Sequence, residues 1–177
     1  MDKTLVKRFP LTKVLPLVGL SIVGCAFISI CSLVKIPLYP VPFTLQTFGI
    51  FVLALTQSPK HAFASAVCYL ICASIGLPVL SGKSNTLWLV QKCGGFLLSF
   101  PFAAYLASRM ALRWRPIIAL LCGQVVIYTM GMIWLIPMYG DQIALKQGVA
   151  LFVPSDLLKN MAAIGAAHLW KMITRNR

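Results

Sequence analysis

Residues 14–34 read VLPLVGLSIVGCAFISICSLV, twenty-one positions without one Lys, Arg, His, Asp or Glu. An apolar run of about 18 or more residues can cross the ~30 Å hydrocarbon core of a bilayer as a helix. The core of a secretory signal is only about 7–15 residues long, so this run reads as a retained first span behind the basic segment 1–13. Further apolar segments fall at 44–56, 62–80, 87–108, 116–138 and 155–173. The chain of 177 residues is 59% hydrophobic and 11% charged, with a mean hydropathy of +0.87. Soluble domains carry about 25% charged residues. The expected fold is therefore all-α: one integral membrane bundle of six transmembrane helices occupying 1–177.

A net charge of +13 would point to nucleic acid in a soluble protein. Here the bases sit between apolar runs, as topology signals do, and no nucleic-acid partner is expected. With six spans, eleven bases lie on one side, among them Lys3, Lys7, Arg8, Lys13, Arg109, Arg113, Arg175 and Arg177. The other side holds Lys35, Lys83, Lys92 and Lys146. The positive-inside rule then puts both termini in the cytoplasm of a multi-pass protein of the cytoplasmic membrane.

The second segment is short and follows Pro37-Leu38-Tyr39-Pro40-Val41-Pro42, where three prolines lack the N–H a helix needs. Irregular backbone at membrane depth must be buried in protein or line a cavity, so this loop is expected to dip inward and shape a pocket. It shares the outer side with residues 76–85 and with the stretch from Tyr139 to Ser155. Within that stretch a short interfacial helix is expected before Pro154.

The chain has three acidic residues, Asp2, Asp141 and Asp156, and no glutamate. Asp156 stands with Lys159 in Pro154-Ser155-Asp156-Leu157-Leu158-Lys159. Ser155 or Asp156 is expected to cap the last helix, with Lys159 one turn on along the same face. Ionisable groups inside a membrane segment mark a functional site by default, although an N-cap beside a snorkelling lysine is the plain structural alternative. Gln46 could hydrogen-bond a ligand amide or another helix, and Asn85 adds the option of a turn residue. Tyr39, Phe43 and Trp88 could line an apolar pocket or anchor the interface. Ser21, Cys25 and Ser29 recur every four residues, a small-residue face for contact inside the bundle or with another subunit.

No nucleophile, base and orienting group fall together, so no catalytic residue and no enzyme are expected. The six cysteines form no CxxC pair and no spacing with histidine, so no metal site is expected. No phosphate-cradling glycine loop is present.

Four motifs in order resemble the BioY family: Val41-Pro42-Phe43-Thr44-Leu45-Gln46-Thr47, Ile75-Gly76-Leu77-Pro78-Val79-Leu80-Ser81-Gly82, Gly94-Gly95-Phe96, and Phe152 to Lys159. The resemblance covers residues from about 15 to about 170. It implies the biotin-binding substrate component of an energy-coupling-factor transporter, a six-helix protein lying in the lipid bilayer. Its implied partners are biotin, a transmembrane coupling protein and ATPase subunits that would hydrolyse ATP in its place, with no cofactor of its own. Gln46, Asp156 and Lys159 would contact the vitamin, with Asn85 or Ser84 as the polar residue of the loop after the third span. The chain departs from the pattern at Gln91-Lys92-Cys93 and has a glycine-poor loop at 82–86; Lys83 and Lys92 could help draw in a carboxylate. The alternatives are a substrate component for another vitamin and a membrane structural or assembly protein without a ligand.

Overall fold

The computed structural model describes residues 17–175; the basic segment 1–13 lies outside them. Six long helices make the bundle: α1 (Leu17–Leu33), α2 (Gln46–Thr56), α3 (Pro59–Ser74), α4 (Gly94–Ala111), α5 (Pro116–Tyr139) and, at the C-terminal end, Val153–Arg175. A short helix, α6 (Asp141–Leu145), and a π turn at Lys146–Ala150 precede the last one, which becomes α7. The only strands among the described residues are β1 (Lys35–Ile36) and β2 (Phe43–Thr44), an antiparallel hairpin around the proline loop.

Local chemistry sets the ends. Pro59 and Pro116 open α3 and α5, where a missing N–H costs nothing. The third span stops at Ser74, short of the expected residue 80. Gly76 takes φ +87°, and the N–H groups of Leu77 and Gly76 return to the carbonyls of Cys72 and Ala73. This paired closure satisfies the last carbonyls and turns the chain. The fourth span begins at Gly94 and not near 87, because Trp88–Val90 forms a separate 3-10 turn. A Cβ on Gly94 would collide with the Leu89 carbonyl, so only glycine lets the chain fold back there.

The surface is apolar. Ile22, Val23, Ile30, Ile133, Leu158 and Met161 are all more than half exposed. In water such a face would drive aggregation; in hydrocarbon it is the ordinary exterior. The interior is packed through small residues, the usual device where lipid offers no hydrophobic drive. A Cβ on Gly95 would strike Trp134 and the Met130 carbonyl, and one on Gly131 would strike the Phe96 ring. These contacts bring α4 and α5 together.

The face carrying Ser21 and Cys25 is likewise internal. Both residues are 6% exposed, a Cβ on Gly24 would meet Ser65 of α3, and the Ser29 hydroxyl donates to the Cys25 carbonyl at 2.8 Å. α1 and α3 fill that seam between them at Ser21 and Cys25, where the expected partner-subunit contact meets packing within the chain, while Ser29 is half-buried.

α2 has 11 residues, about 17 Å at ~1.5 Å per residue. It is too short to cross a bilayer alone, and the proline hairpin leads directly into it. Gln46, its first residue, lies inside the bundle.

Gly95→Ala is expected to lower the thermal midpoint of the detergent-purified protein, by the roughly 1–3 kcal/mol typical of overpacking. Gly165, whose Cβ would meet nothing within 4 Å, should accept alanine without loss. Equal midpoints for the two variants would contradict the tight α4–α5 contact.

Candidate functional site

α7 starts at Val153, one residue before Pro154. Proline is tolerated in a first turn, so Pro154 does not separate the helix from what precedes it. Asp156 is consequently inside the first turn and is not a cap. The Ser155 hydroxyl donates to the Phe152 carbonyl at 2.8 Å, which leaves the Asp156 carboxylate free to turn into the bundle.

Asp156 and Lys159 are 4% and 6% exposed. Lys159 Nζ lies 2.8 Å from Asp156 Oδ1. The other carboxylate oxygen accepts from Gln124 Nε2 at 2.9 Å and from the Tyr128 hydroxyl at 2.6 Å. Gln124 and Tyr128 stand four apart on α5 and so face the same way. Lys159 Nζ also donates to Thr47 Oγ1 at 3.3 Å and rests 3.9 Å from the centre of the Phe43 ring. A buried ion pair is tolerable only when further hydrogen bonds satisfy its remaining atoms. α5 and α2 supply them, and the hairpin adds the face of Phe43.

This pair forms the floor of a chamber of about 460 Å³, inside the 300–1,000 Å³ range of small-molecule sites. Gln46 lines one wall. Its Nε2 donates to the Tyr69 hydroxyl at 2.6 Å, and its Oε1 accepts from Thr44 at 2.9 Å. Tyr69 in turn donates to the Val79 carbonyl, and Ser32 holds the same carbonyl and the Ser81 N–H. The segment after α3 is thereby fastened over α1. Trp88, Phe96, Leu97, Phe100 and Ile127 give the chamber its apolar surface. The Trp88 indole N–H donates to Ser74 at 3.0 Å, which fixes the ring.

The mouth is basic: Lys35, Lys83 and Lys92 all line it. Asn85 also lines the chamber, its amide paired both ways with that of Gln91 at 3.0 and 3.2 Å. Ser84 lines it too, with its hydroxyl donating to the Gly76 carbonyl at 2.7 Å. Burial pushes the Cys93 thiol at the rim up, against the pull of Lys92 and Lys35.

Of the expected contact residues, Gln46, Ser84, Asn85, Trp88, Asp156 and Lys159 thus converge on one cavity. Phe43 reaches it only through Lys159. Tyr39 stands apart, 65% exposed. The proline loop carries its ring edge-on to Tyr139 at 5.8 Å, with the Lys92 ammonium 4.7 Å from its centre. Sequence reasoning missed Gln124, Tyr128, Thr47, Tyr69 and Lys35. A signal existed for Gln124, the one amide in a 24-residue apolar helix.

Comparison with known proteins gives the family and the fold. The family model described as the BioY family matches residues 6–175. The chain is 31% identical over 140 residues to a protein of Pyrococcus horikoshii described as a probable biotin transporter BioY, covering 78% of this chain and 86% of that one. It is 32% identical over 155 residues to the biotin transporter BioY of Thermotoga maritima, covering 83% and 91%. A crystal structure of the S-component for biotin from an ECF-type ABC transporter superposes with a TM-score of 0.79 at 26% identity, over 93% of this chain and 95% of that one.

Asp156→Asn, made without ligand, should destabilise the fold by about 3–5 kcal/mol, because Lys159 is left buried without a counter-charge. The double variant Asp156→Asn/Lys159→Met should recover most of that loss. Denaturation of all three proteins in detergent checks the pattern, and additive losses would show that the two charges do not act as a pair.

Proposed function

The chain belongs to the BioY family, and on that premise we propose that its chamber binds biotin and that it captures the vitamin for an energy-coupling-factor transporter. The observation that carries the reading is a buried, net-neutral ion pair at the chamber floor together with Lys35, Lys83 and Lys92 at its mouth. Biotin has matching ends. Its ureido group has N–H donors, a carbonyl acceptor and no net charge, and its valerate chain ends in a carboxylate.

The floor suits the ureido end. Asp156 accepts from a ureido N–H, and Lys159 donates to the ureido oxygen while keeping its aspartate. Donors and acceptors are exchanged there without adding charge to a dry site. A carboxylate at the floor would compete with Asp156 for Lys159 and bury a net negative charge. We therefore assign the carboxylate to Lys35, Lys83 and Lys92 rather than to Lys159. The thioether ring then lies between, against Trp88, Phe96, Leu97 and Phe100, while Gln46, held by Tyr69 and Thr44, walls the ring.

In this reading the protein is not an enzyme and holds no cofactor. ATP is hydrolysed by partner subunits joined through a membrane coupling protein. It sits as one domain in the cytoplasmic membrane, crossing it several times. The basic excess near the α2–α3 and α4–α5 turns favours a cytoplasmic location for both termini, which opens the chamber outward.

Calorimetric titration of the purified chain with biotin and with other vitamins tests the proposal directly; absence of biotin binding ends it. Lys159→Ala should weaken biotin by the roughly 1.5–3 kcal/mol of a charge-assisted hydrogen bond, about ten- to a hundredfold in Kd. Lys83→Gln/Lys92→Gln should weaken biotin by roughly two- to fivefold, as screened charges do, and leave biotin methyl ester untouched. An equal loss for the ester would reverse the assigned orientation.

A further inference from the structure

Away from the chamber, in the seam between α1 and α3, three thiols meet. Cys68 and Cys72 stand one turn apart on α3, and Cys25 reaches them from α1. Their sulfurs all lie within 4.8 Å of one another, with Cys25 and Cys72 at 3.7 Å, and all are free thiols. Spacing along the chain shows only the α3 pair; the third sulfur arrives because Gly24, beside Cys25, lets α1 settle against Ser65.

We propose that Cys25, Cys68 and Cys72 form a three-sulfur site for a soft monovalent metal ion, Cu(I). Three sulfur ligands at ~2.3 Å from a shared ion and 120° apart lie about 4.0 Å from each other. The sulfurs already stand close to that separation, so an ion can enter with little movement of the backbone. Thiolate ligands select Cu(I), zinc and iron–sulfur centres. Zinc takes four ligands, and among the described residues no fourth Cys, His, Asp or Glu joins this group.

A neutral centre is open to Cu(I) here. In hydrocarbon the stable centre is the neutral one. A monovalent ion reaches neutrality with one thiolate and two thiols. On binding, one S–H bond breaks and one Cu–S bond forms, and the proton passes to solvent. The other two sulfurs donate lone pairs, and no electron changes hands. Cys68 and Cys72 are half-buried and Cys25 is buried.

The test uses the full chain, reduced and purified in detergent under nitrogen, with Cu(I) supplied as its bathocuproine disulfonate complex. One Cu(I) per chain should transfer, seen as bleaching of the complex and growth of thiolate-to-copper absorption in the ultraviolet. Cys25→Ala, Cys68→Ala and Cys72→Ala should each weaken retention by at least the roughly 10- to 100-fold that even an outer-shell change costs. Cys31→Ala and Cys122→Ala should retain the ion. Elution profile and melting temperature establish that each variant is folded. In the unaltered protein, Cu(I) should also shield Cys68 and Cys72 from N-ethylmaleimide, read by peptide mass spectrometry, so the outcome does not hang on any variant. No transfer, no shielding, or equal loss in Cys31→Ala overturns the site. Ready cross-linking of Cys25 to Cys72 by diamide without copper uptake would make the cluster a disulfide pair instead.

Discussion

A carboxylate and an ammonium held 2.8 Å apart in a hydrocarbon-bounded interior dictate much of what surrounds them. Taking both out of water costs several kcal/mol per ion, and their attraction offsets this only when every remaining lone pair and proton is used. Asp156 therefore needs Gln124 and Tyr128, which brings α5 against α7 at one level. Lys159 needs Thr47 and the face of Phe43, which brings in the start of α2 and the hairpin before it. The chamber is the space these obligations leave above the pair.

The same logic explains why so much irregular backbone is gathered at one end of the bundle. Backbone polar groups cannot face lipid unsatisfied. The hairpin pairs Lys35 with Thr44 and Ile36 with Phe43, the end of α3 closes on itself through Gly76 and Leu77, and Ser32 takes up Val79 and Ser81. Each device satisfies a stretch that is not helical, and each also presents residues to the cavity. Loop chemistry and site construction are one problem here.

The bundle was legible in the sequence because hydropathy acts over long windows. Asp156 and Lys159 were legible because charges are so scarce. Boundaries were less so. The apolar text of residues 75–80 and 87–93 reads like helix, yet Gly76 at positive φ and the collision at Gly94 make both segments turns. The partners of the ion pair were hidden for another reason. Gln124 and Tyr128 are ordinary in isolation, and only the juxtaposition of α5 and α7 gives them a role. Tyr39 erred the other way: an aromatic in a pocket-forming loop is a fair candidate until the loop's course shows that it faces Tyr139.

The two ends of the chamber use charge under different rules. At the floor, a low dielectric strengthens every interaction and makes a net charge prohibitive, so the useful element is a neutral pair that can share hydrogen bonds with a polar, uncharged group. At the mouth, Lys35, Lys83 and Lys92 meet solvent, where attraction is screened over about 8 Å at physiological salt and each contact is worth little. Such charges act chiefly on encounter, raising the local concentration of an anion before it enters. In the proposed reading, tight retention comes from the floor and the apolar walls, and capture from the rim. An anionic ligand with a neutral polar head would answer both requirements in one orientation; reversing it would put the charge where it is most expensive.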